Sequence, residues 1–229
     1  MADVVAVHGA FRGGWSWDLV RPLLERDGHR WFSPDLTGMG TGPQPAVGDV
    51  TLDDWIADVV EVVESNDLAQ VVLVGHSMGG VVAQAALGVL GSRVARLVVI
   101  DAPLIAEGQR AIDVSGPTPP PAGLLPPRST WLAPTPVGAV QGFEAPLAAW
   151  VNERLCATPF GPQLDPCPAG PRVVPPMTIA FCSRTPQGYP STFARARCDG
   201  DATPYLLLDS HHDAPLVASA ATASCIMQP

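Results

Sequence analysis

Val71-Val72-Leu73-Val74-Gly75-His76-Ser77-Met78-Gly79 decides the reading of this chain, because an apolar run enters a Gly-x-Ser-x-Gly pentapeptide and a small-residue helical stretch, Val81 to Leu90, leaves it. A strand that passes at once into a helix holds the central Ser on a strained turn, and side chains beside it would collide with neighbouring backbone, hence the glycines. Ser77 is therefore the candidate nucleophile. Its hydroxyl would stand at a strand end, and the first N–H groups of the following helix, from Met78 onward, would point at a developing oxyanion. Gly-x-Ser-x-Gly by itself also marks ordinary Gly-rich turns; the strand before it and the helix after it give it weight.

A nucleophilic Ser needs an oxyanion hole and a base. Near the N-terminus the strand Val4 to Val7 runs into His8-Gly9-Ala10-Phe11-Arg12-Gly13-Gly14, a turn able to bring backbone N–H groups close to the Ser. Ala10 and Met78 are the expected oxyanion pair, and Phe11 is expected at the pocket wall. At the far end Tyr205-Leu206-Leu207-Leu208 reads as a strand, followed by Asp209-Ser210-His211-His212-Asp213 and an Ala-rich helical tail. The loop after the last strand is where triads with Ser first in the chain keep their base.

Four motifs in order now carry a resemblance: Val7-His8-Gly9-Ala10-Phe11-Arg12-Gly13-Gly14-Trp15-Ser16-Trp17, Gly28-His29-Arg30 to Pro34-Asp35-Leu36-Thr37-Gly38, Thr51-Leu52-Asp53, and Val74-Gly75-His76-Ser77-Met78-Gly79-Gly80. Nearly the whole chain resembles the α/β-hydrolase branch of plant methylesterases, hydroxynitrile lyases and bacterial salicylate-esterase-like proteins. That branch holds esterases, carbon–carbon lyases and non-hydrolytic members, so the resemblance implies a fold and leaves the reaction open. Its His-Asp-apolar pattern matches His212-Asp213, which makes His212 the base and His211 the alternative. Its acid follows the strand equivalent to Met177 to Cys182, within Cys-Thr-x-Asp, whereas this chain reads Cys182-Ser183-Arg184-Thr185-Pro186. Thr185 stands where the Asp would be.

A replacement acid is Asp101, at the end of the strand Leu97 to Ile100. In a doubly wound sheet it emerges on the same carboxyl edge as Ser77 and the His loop. Haloalkane dehalogenases, a related branch, place their acid in a segment similar to Ile100-Asp101-Ala102-Pro103. An Asp here can also simply cap a turn, Asp213 or Asp209 can orient His212 locally, and a Ser-His dyad is the remaining option.

The coarse pattern alternates strands (Val4 to Val7, Arg30 to Phe32, Gln70 to Val74, Leu97 to Ile100, Met177 to Cys182, Pro204 to Leu208) with helices (Trp15 to Arg26, Leu52 to Glu64, Met78 to Gly91, Ser191 to Arg197, Ala214 to Cys225). Apolar runs without polar alternation suit parallel strands covered on both faces. The expected fold is α/β, an α/β-hydrolase fold with a mostly parallel six-stranded sheet, flanking helices and a short Pro-rich lid. Residues 103–176 hold most of the 26 prolines and read as the lid insertion, since Pro interrupts helices and central strands. Within it Trp150-Val151-Asn152-Glu153-Arg154-Leu155 looks like the remnant of a lid helix. Trp131, Phe143 and Trp150 are expected to line the pocket, with plain lid packing as the alternative for each.

The remaining histidines and Arg12 have bland readings. His8 is expected to be a structural hydrogen-bonding residue, His29 exposed, His76 tucked beside the sheet and Arg12 a solvated loop arginine, with a substrate carboxylate as its alternative partner.

Composition bounds the rest. A chain of 229 residues, 47% hydrophobic, suits one α/β domain, 1–229. A net charge of −9 with no Lys/Arg cluster argues against nucleic acid or an anionic membrane as partner. No run approaches the ~18 apolar residues of a membrane span, and Met1-Ala2-Asp3 lacks a signal peptide's basic start, so a cytoplasmic location is expected. Five cysteines without Cys-x-x-Cys spacing suggest reduced thiols and no metal site, with Cys156–Cys167 pairing only if the protein is exported. A homodimer stays open.

The functional expectation is a serine hydrolase acting on a small, mostly apolar ester, thioester or lactone, with no metal or organic cofactor. The alternatives are a lyase or cyclase of small-molecule or polyketide metabolism on the same scaffold, and a non-catalytic ligand-binding protein.

Overall fold

The computed structural model describes residues 1–41 and 50–228. In chain order its elements are β1 (Asp3–Val7), α1 (Arg21–Arg26), β2 (Arg30–Phe32), α2 (Leu52–Ser65), β3 (Val71–His76), α3 (Met78–Leu90), β4 (Val94–Ile100), α4 (Ala111–Val114), β5 (Trp131–Leu132), α5 (Ala145–Asn152), β6 (Thr158–Pro159), β7 (Met177–Cys182), α6 (Pro190–Asp201), β8 (Leu206–Leu208), α7 (Ala214–Val217) and α8 (Ser219–Met227). Six strands form one sheet in the order β2-β1-β3-β4-β7-β8, and every neighbouring pair is parallel.

Period-two alternation divides each central strand between two cores. Val5, Val7, Leu73, Leu97 and Val99 face the cluster that includes α2 and α3. Val4, Ala6, Val72, Val74, Val98 and Ile100 face the other, which α8 closes with Ala223 and Ile226. Both faces are covered, so these strands carry unbroken apolar runs, Val4 to Val7, Val71 to Val74 and Leu97 to Ile100, and each buried Val or Leu stabilises the fold by about 1.5–3 kcal/mol. α2 starts at a Thr51 cap whose side chain accepts from the Asp54 N–H while the Asp54 side chain accepts from the Thr51 N–H, a reciprocal pair that supplies partners to otherwise orphaned donors.

Register puts three loops at one end of the sheet. His76 of β3 lies opposite Ile100 of β4, and the ladder runs one step further, with Ser77 N–H donating to Ile100 O and Asp101 N–H to Ala180 O. Ser77 and Asp101 therefore leave adjacent strands at the same level, and the loop after β8 joins them there.

Two expected helices are broken. Trp15 to Arg26 is a 3₁₀ turn, Gly14–Trp17, followed by α1. Pro22 in the first turn of α1 has no N–H to donate, and its ring would clash with the carbonyl four residues earlier. The C-terminal stretch divides at Ala218, with φ −146° and ψ 47°, because its halves bury different faces: Leu216 of α7 packs beside Trp15 and Phe143, and Ile226 of α8 packs under the sheet. The insertion 103–176 consists of short pieces, α4, α5, three 3₁₀ turns and the two-residue antiparallel pair β5–β6. Its helix α5 spans Ala145–Asn152, so the lid helix lies earlier in the chain than the expected remnant, Trp150 to Leu155, and is longer. Among the described residues, no helix is long and apolar enough to cross a membrane, and the five cysteines are free thiols.

Candidate active site

Ser77 sits between β3 and α3 with φ 53° and ψ −126°, a region that costs a non-glycine residue about 1–3 kcal/mol. Its glycine neighbours are required by contact. A Cβ on Gly75 would lie 2.4 Å from Gly79 O, and one on Gly79 would lie 2.3 Å from Val7 O. The turn raises Ser77 Oγ to 3.0 Å from His212 Nε2, and His212 Nδ1 is 2.6 Å from Asp101 Oδ2. An ionised carboxylate only accepts, so Nδ1 carries the proton and Nε2 is left to accept from the Ser77 hydroxyl.

Asp101 is also at positive φ, 44°, and is 1% exposed. Burial raises its carboxyl, but the hydrogen bond and charge of His212, the Thr185 hydroxyl and the Cys182 N–H together hold it below the usual carboxylate range. The two local alternatives point elsewhere. Asp213 pairs with Arg12 at 3.1 Å, and Asp209 accepts from Ser183 and lies 3.4 Å from Arg184.

The glycine-rich turn after β1 closes over the elbow, where a Cβ on Gly9 would come 2.9 Å from the Ser77 Cβ. Phe11, at φ 65°, donates its N–H to Thr158 Oγ1 at 2.6 Å, which fastens the turn to β6 of the insertion. Phe11, Ser77 and Asp101 are thus strained residues gathered in one site. His8 is structural: its Nδ1–H donates to Gly9 O and its Nε2 accepts from the Leu36 N–H. Burial pushes His8 down to about 4. His76 is likewise buried and lowered to about 4, by burial first and then by His212; its Nε2–H donates to His212 O at 2.8 Å. His29 is half-buried, and its Nδ1 accepts from the Ala2 N–H. Arg12 is neither solvated nor facing a vacant anion site, since it is 7% exposed and bonded to both oxygens of Asp213. Burial would raise Asp213, yet Arg12, with His212 and His76, keeps it below its ordinary value.

A cavity of about 430 Å³ meets these groups, with Ser77, His212, Ala10, Met78 and Phe11 in its wall. Met78 opens α3, where helix N–H groups have no partner within the helix. The insertion contributes Ser115, Leu132, Thr135, Val137, Gln141 and Gln163. Trp131, Phe143 and Trp150 do not line it, contrary to the sequence expectation. The Trp131 ring packs over Gly38 and the core beneath it. Phe143 and Trp150 join Trp15 in a separate cluster, with Trp150 edge-on to Trp15 at 5.3 Å. The large rings of the cover thus fasten it to the body of the domain, which leaves smaller side chains to face the opening. Tyr189, at the foot of α6, is a wall residue the sequence reading missed; its ring stands 4.8 Å from that of His212. Among the described residues, no group of three or more His, Cys, Asp or Glu is arranged to hold a metal ion.

A strand–Ser77–helix elbow after β3, with Asp101 after β4 and His212 after β8 on a parallel sheet, is the arrangement of an α/β hydrolase, and the chain belongs to the alpha/beta hydrolase family, matched over residues 4–224. Over 102 residues it is 38% identical to a carbendazim hydrolyzing esterase of Nocardioides sp. (strain SG-4G), a stretch that makes up 44% of this chain and 42% of that one. Over 99 residues it is 33% identical to an alpha-hydroxynitrile lyase of Arabidopsis thaliana, covering 43% and 38% of the two chains. The matched stretches thus span less than half the length of these curated relatives. Among solved structures, polyneuridine aldehyde esterase superposes with a TM-score of 0.77 over 99% of this chain and 98% of that one, at 18% identity, a likeness of fold.

Proposed function

We propose that the protein is a serine hydrolase for small, mostly apolar, uncharged esters, thioesters or lactones. The observation that carries this reading is the unbroken hydrogen-bond chain from Ser77 through His212 to Asp101, at 3.0 and 2.6 Å, in the wall of the cavity. Ser77 Oγ attacks the carbonyl carbon as His212 Nε2 takes its proton. The resulting oxyanion accepts from the N–H groups of Ala10 and Met78, and the imidazolium is stabilised by Asp101. His212 then gives the proton to the leaving alcohol or thiol, and water attacks the acyl-enzyme by the same path in reverse order.

Charge supports an uncharged substrate. Arg12, the arginine in the cavity wall, is already neutralised by Asp213, so a substrate carboxylate would be desolvated there without a partner. The alternative, a lyase or cyclase on the same scaffold, rests on the altered acid position, where Thr185 stands, and on the short cover. The test is twofold. A fluorophosphonate should label Ser77, and short p-nitrophenyl esters should turn over; labelling without ester turnover would favour the lyase or cyclase, and neither would leave a binding protein.

A further inference from the structure

Thr185 is buried, at 9% exposure, in the loop after β7, and its Oγ1 donates to Asp101 Oδ2 at 2.5 Å. The same oxygen accepts from His212 Nδ1, while Oδ1 accepts from the Cys182 N–H at 3.0 Å. Asp101 emerges from β4 at positive φ, a backbone geometry that does not by itself aim the carboxylate. Its orientation comes from these donors. Cys182 and Thr185, three residues apart at the end of the neighbouring strand, grip one oxygen each.

We infer that Thr185 is a positioning residue for the acid: its hydroxyl helps the Cys182 N–H turn the Asp101 carboxylate toward His212 and takes up part of the charge on Oδ2. The inference rests on the triad reading above. A threonine at the position where the resemblance expects the acid thus serves the acid that stands one strand away. Charge shared with a hydroxyl is charge withheld from the imidazolium. Without that hydroxyl the Cys182 N–H still holds Oδ1, Oδ2 keeps its full charge for the imidazolium, and the acid limb of the Ser77 reaction moves to higher pH.

The groups facing the His212 ring are Asp101, His76 from β3, Tyr189 ahead of α6, and Asp213 with its Arg12; Cys182 faces Asp101 from β7. None of these groups is itself altered by a change at Thr185, and Thr185→Ser keeps the hydroxyl among the same neighbours.

The measurement is the rate of Ser77 labelling by a fluorophosphonate, in which the Oγ–P bond forms, fluoride leaves and His212 receives the Ser77 proton. It needs no knowledge of the natural substrate. Across the pH range where histidine titrates, Thr185→Val should move the acid limb upward by up to about one pH unit and lower the plateau by about threefold to tenfold, the scale of one hydrogen bond to a charged group. Thr185→Ser, which keeps the hydroxyl, should restore the wild-type limb. Should Thr185→Val reduce the yield of folded protein, Thr185→Ala removes the same hydroxyl with less to pack. An acid limb unmoved in both hydroxyl-free variants, or a Thr185→Ser limb shifted as far as theirs, overturns the inference. Asp101→Asn separates this failure from that of the triad. If Asp101→Asn labels at the wild-type rate, the triad reading has failed; if it is crippled while Thr185→Val titrates normally, only the role of Thr185 has.

Discussion

Arg12 and Asp213 form a buried ion pair across 201 residues of sequence, and it joins the turn that carries Ala10 to the loop that carries His212. Both side chains are about nine-tenths covered, so neither charge can turn to water if the other is removed. Asp213→Leu or Arg12→Met alone should therefore lower stability by about 3–5 kcal/mol, whereas the double change Arg12→Met with Asp213→Leu should cost much less, because no charge is left buried alone. Urea unfolding of the three variants tests this. A loss in the double variant equal to the sum of the two single losses would mean that the pair is not coupled. Activity should fall more than stability in the double variant, since two walls of the site lose their tie.

Ser77→Ala should abolish ester turnover by several orders of magnitude and leave the thermal transition within a few degrees of wild type, because Ser77 contributes chemistry at a turn and little packing. The backbone strain at φ 53° is shared by Ala, so no large gain in stability is expected. Retention of more than a few percent of wild-type turnover would remove Ser77 as nucleophile.

The sheet was legible because its strands are buried on both faces and so appear as unbroken apolar runs, and the elbow because steric demand leaves glycine at Gly75 and Gly79. Asp101 could be reached by topology, since sheet order and register put the ends of β3 and β4 side by side. The Arg12–Asp213 pair could not be reached, because an ion pair between distant segments leaves no local periodicity and both residues look like ordinary loop charges. Tyr189 escaped for a similar reason: it precedes α6 in a stretch with no motif, and only the three-dimensional path of the loop brings it to His212. Trp131, Phe143 and Trp150 show the reverse error. Aromatic content in an insertion tells that something is buried, and the direction each ring faces is decided by packing that the sequence does not display.

Asp101→Asn should lower turnover by up to about 10⁴-fold by favouring the wrong imidazole tautomer and leaving the imidazolium without a counter-charge. Thr185 and the Cys182 N–H would still face the amide, so the fold should survive, which circular dichroism can check. His212→Ala should be more damaging than His211→Ala. The His211 ring packs against Gly142 of the insertion, where an added Cβ would come 2.4 Å from its Cδ2, so its loss should loosen the cover without removing the base. Near-normal turnover of p-nitrophenyl butyrate by Asp101→Asn would reduce the machinery to a Ser-His dyad.

Acid should destabilise the protein in two stages. His8 and His76 are buried and neutral, each lowered from about 6.5 to about 4. In the unfolded chain both take up protons near pH 6.5, while the folded protein refuses them until about pH 4, so stability falls with pH through that window. Each group can account for up to about 3 kcal/mol across it. Asp213 and Asp101 act lower down. Their folded carboxyls are held below the ordinary value, so their contribution is complete above about pH 4 and is lost only as pH falls further, toward their folded values. Urea midpoints measured at successive pH values should fall first between about pH 6.5 and 4 and again below it. Replacing His76 by Gln, which can still donate to His212 O, should flatten the first stage by about half and leave the second intact, since the two histidines there are equivalent in depth and shift. A His76→Gln protein whose upper stage is as steep as wild type would mean that His76 is protonated in the folded state, and that its bond to the His212 carbonyl does not require the neutral ring.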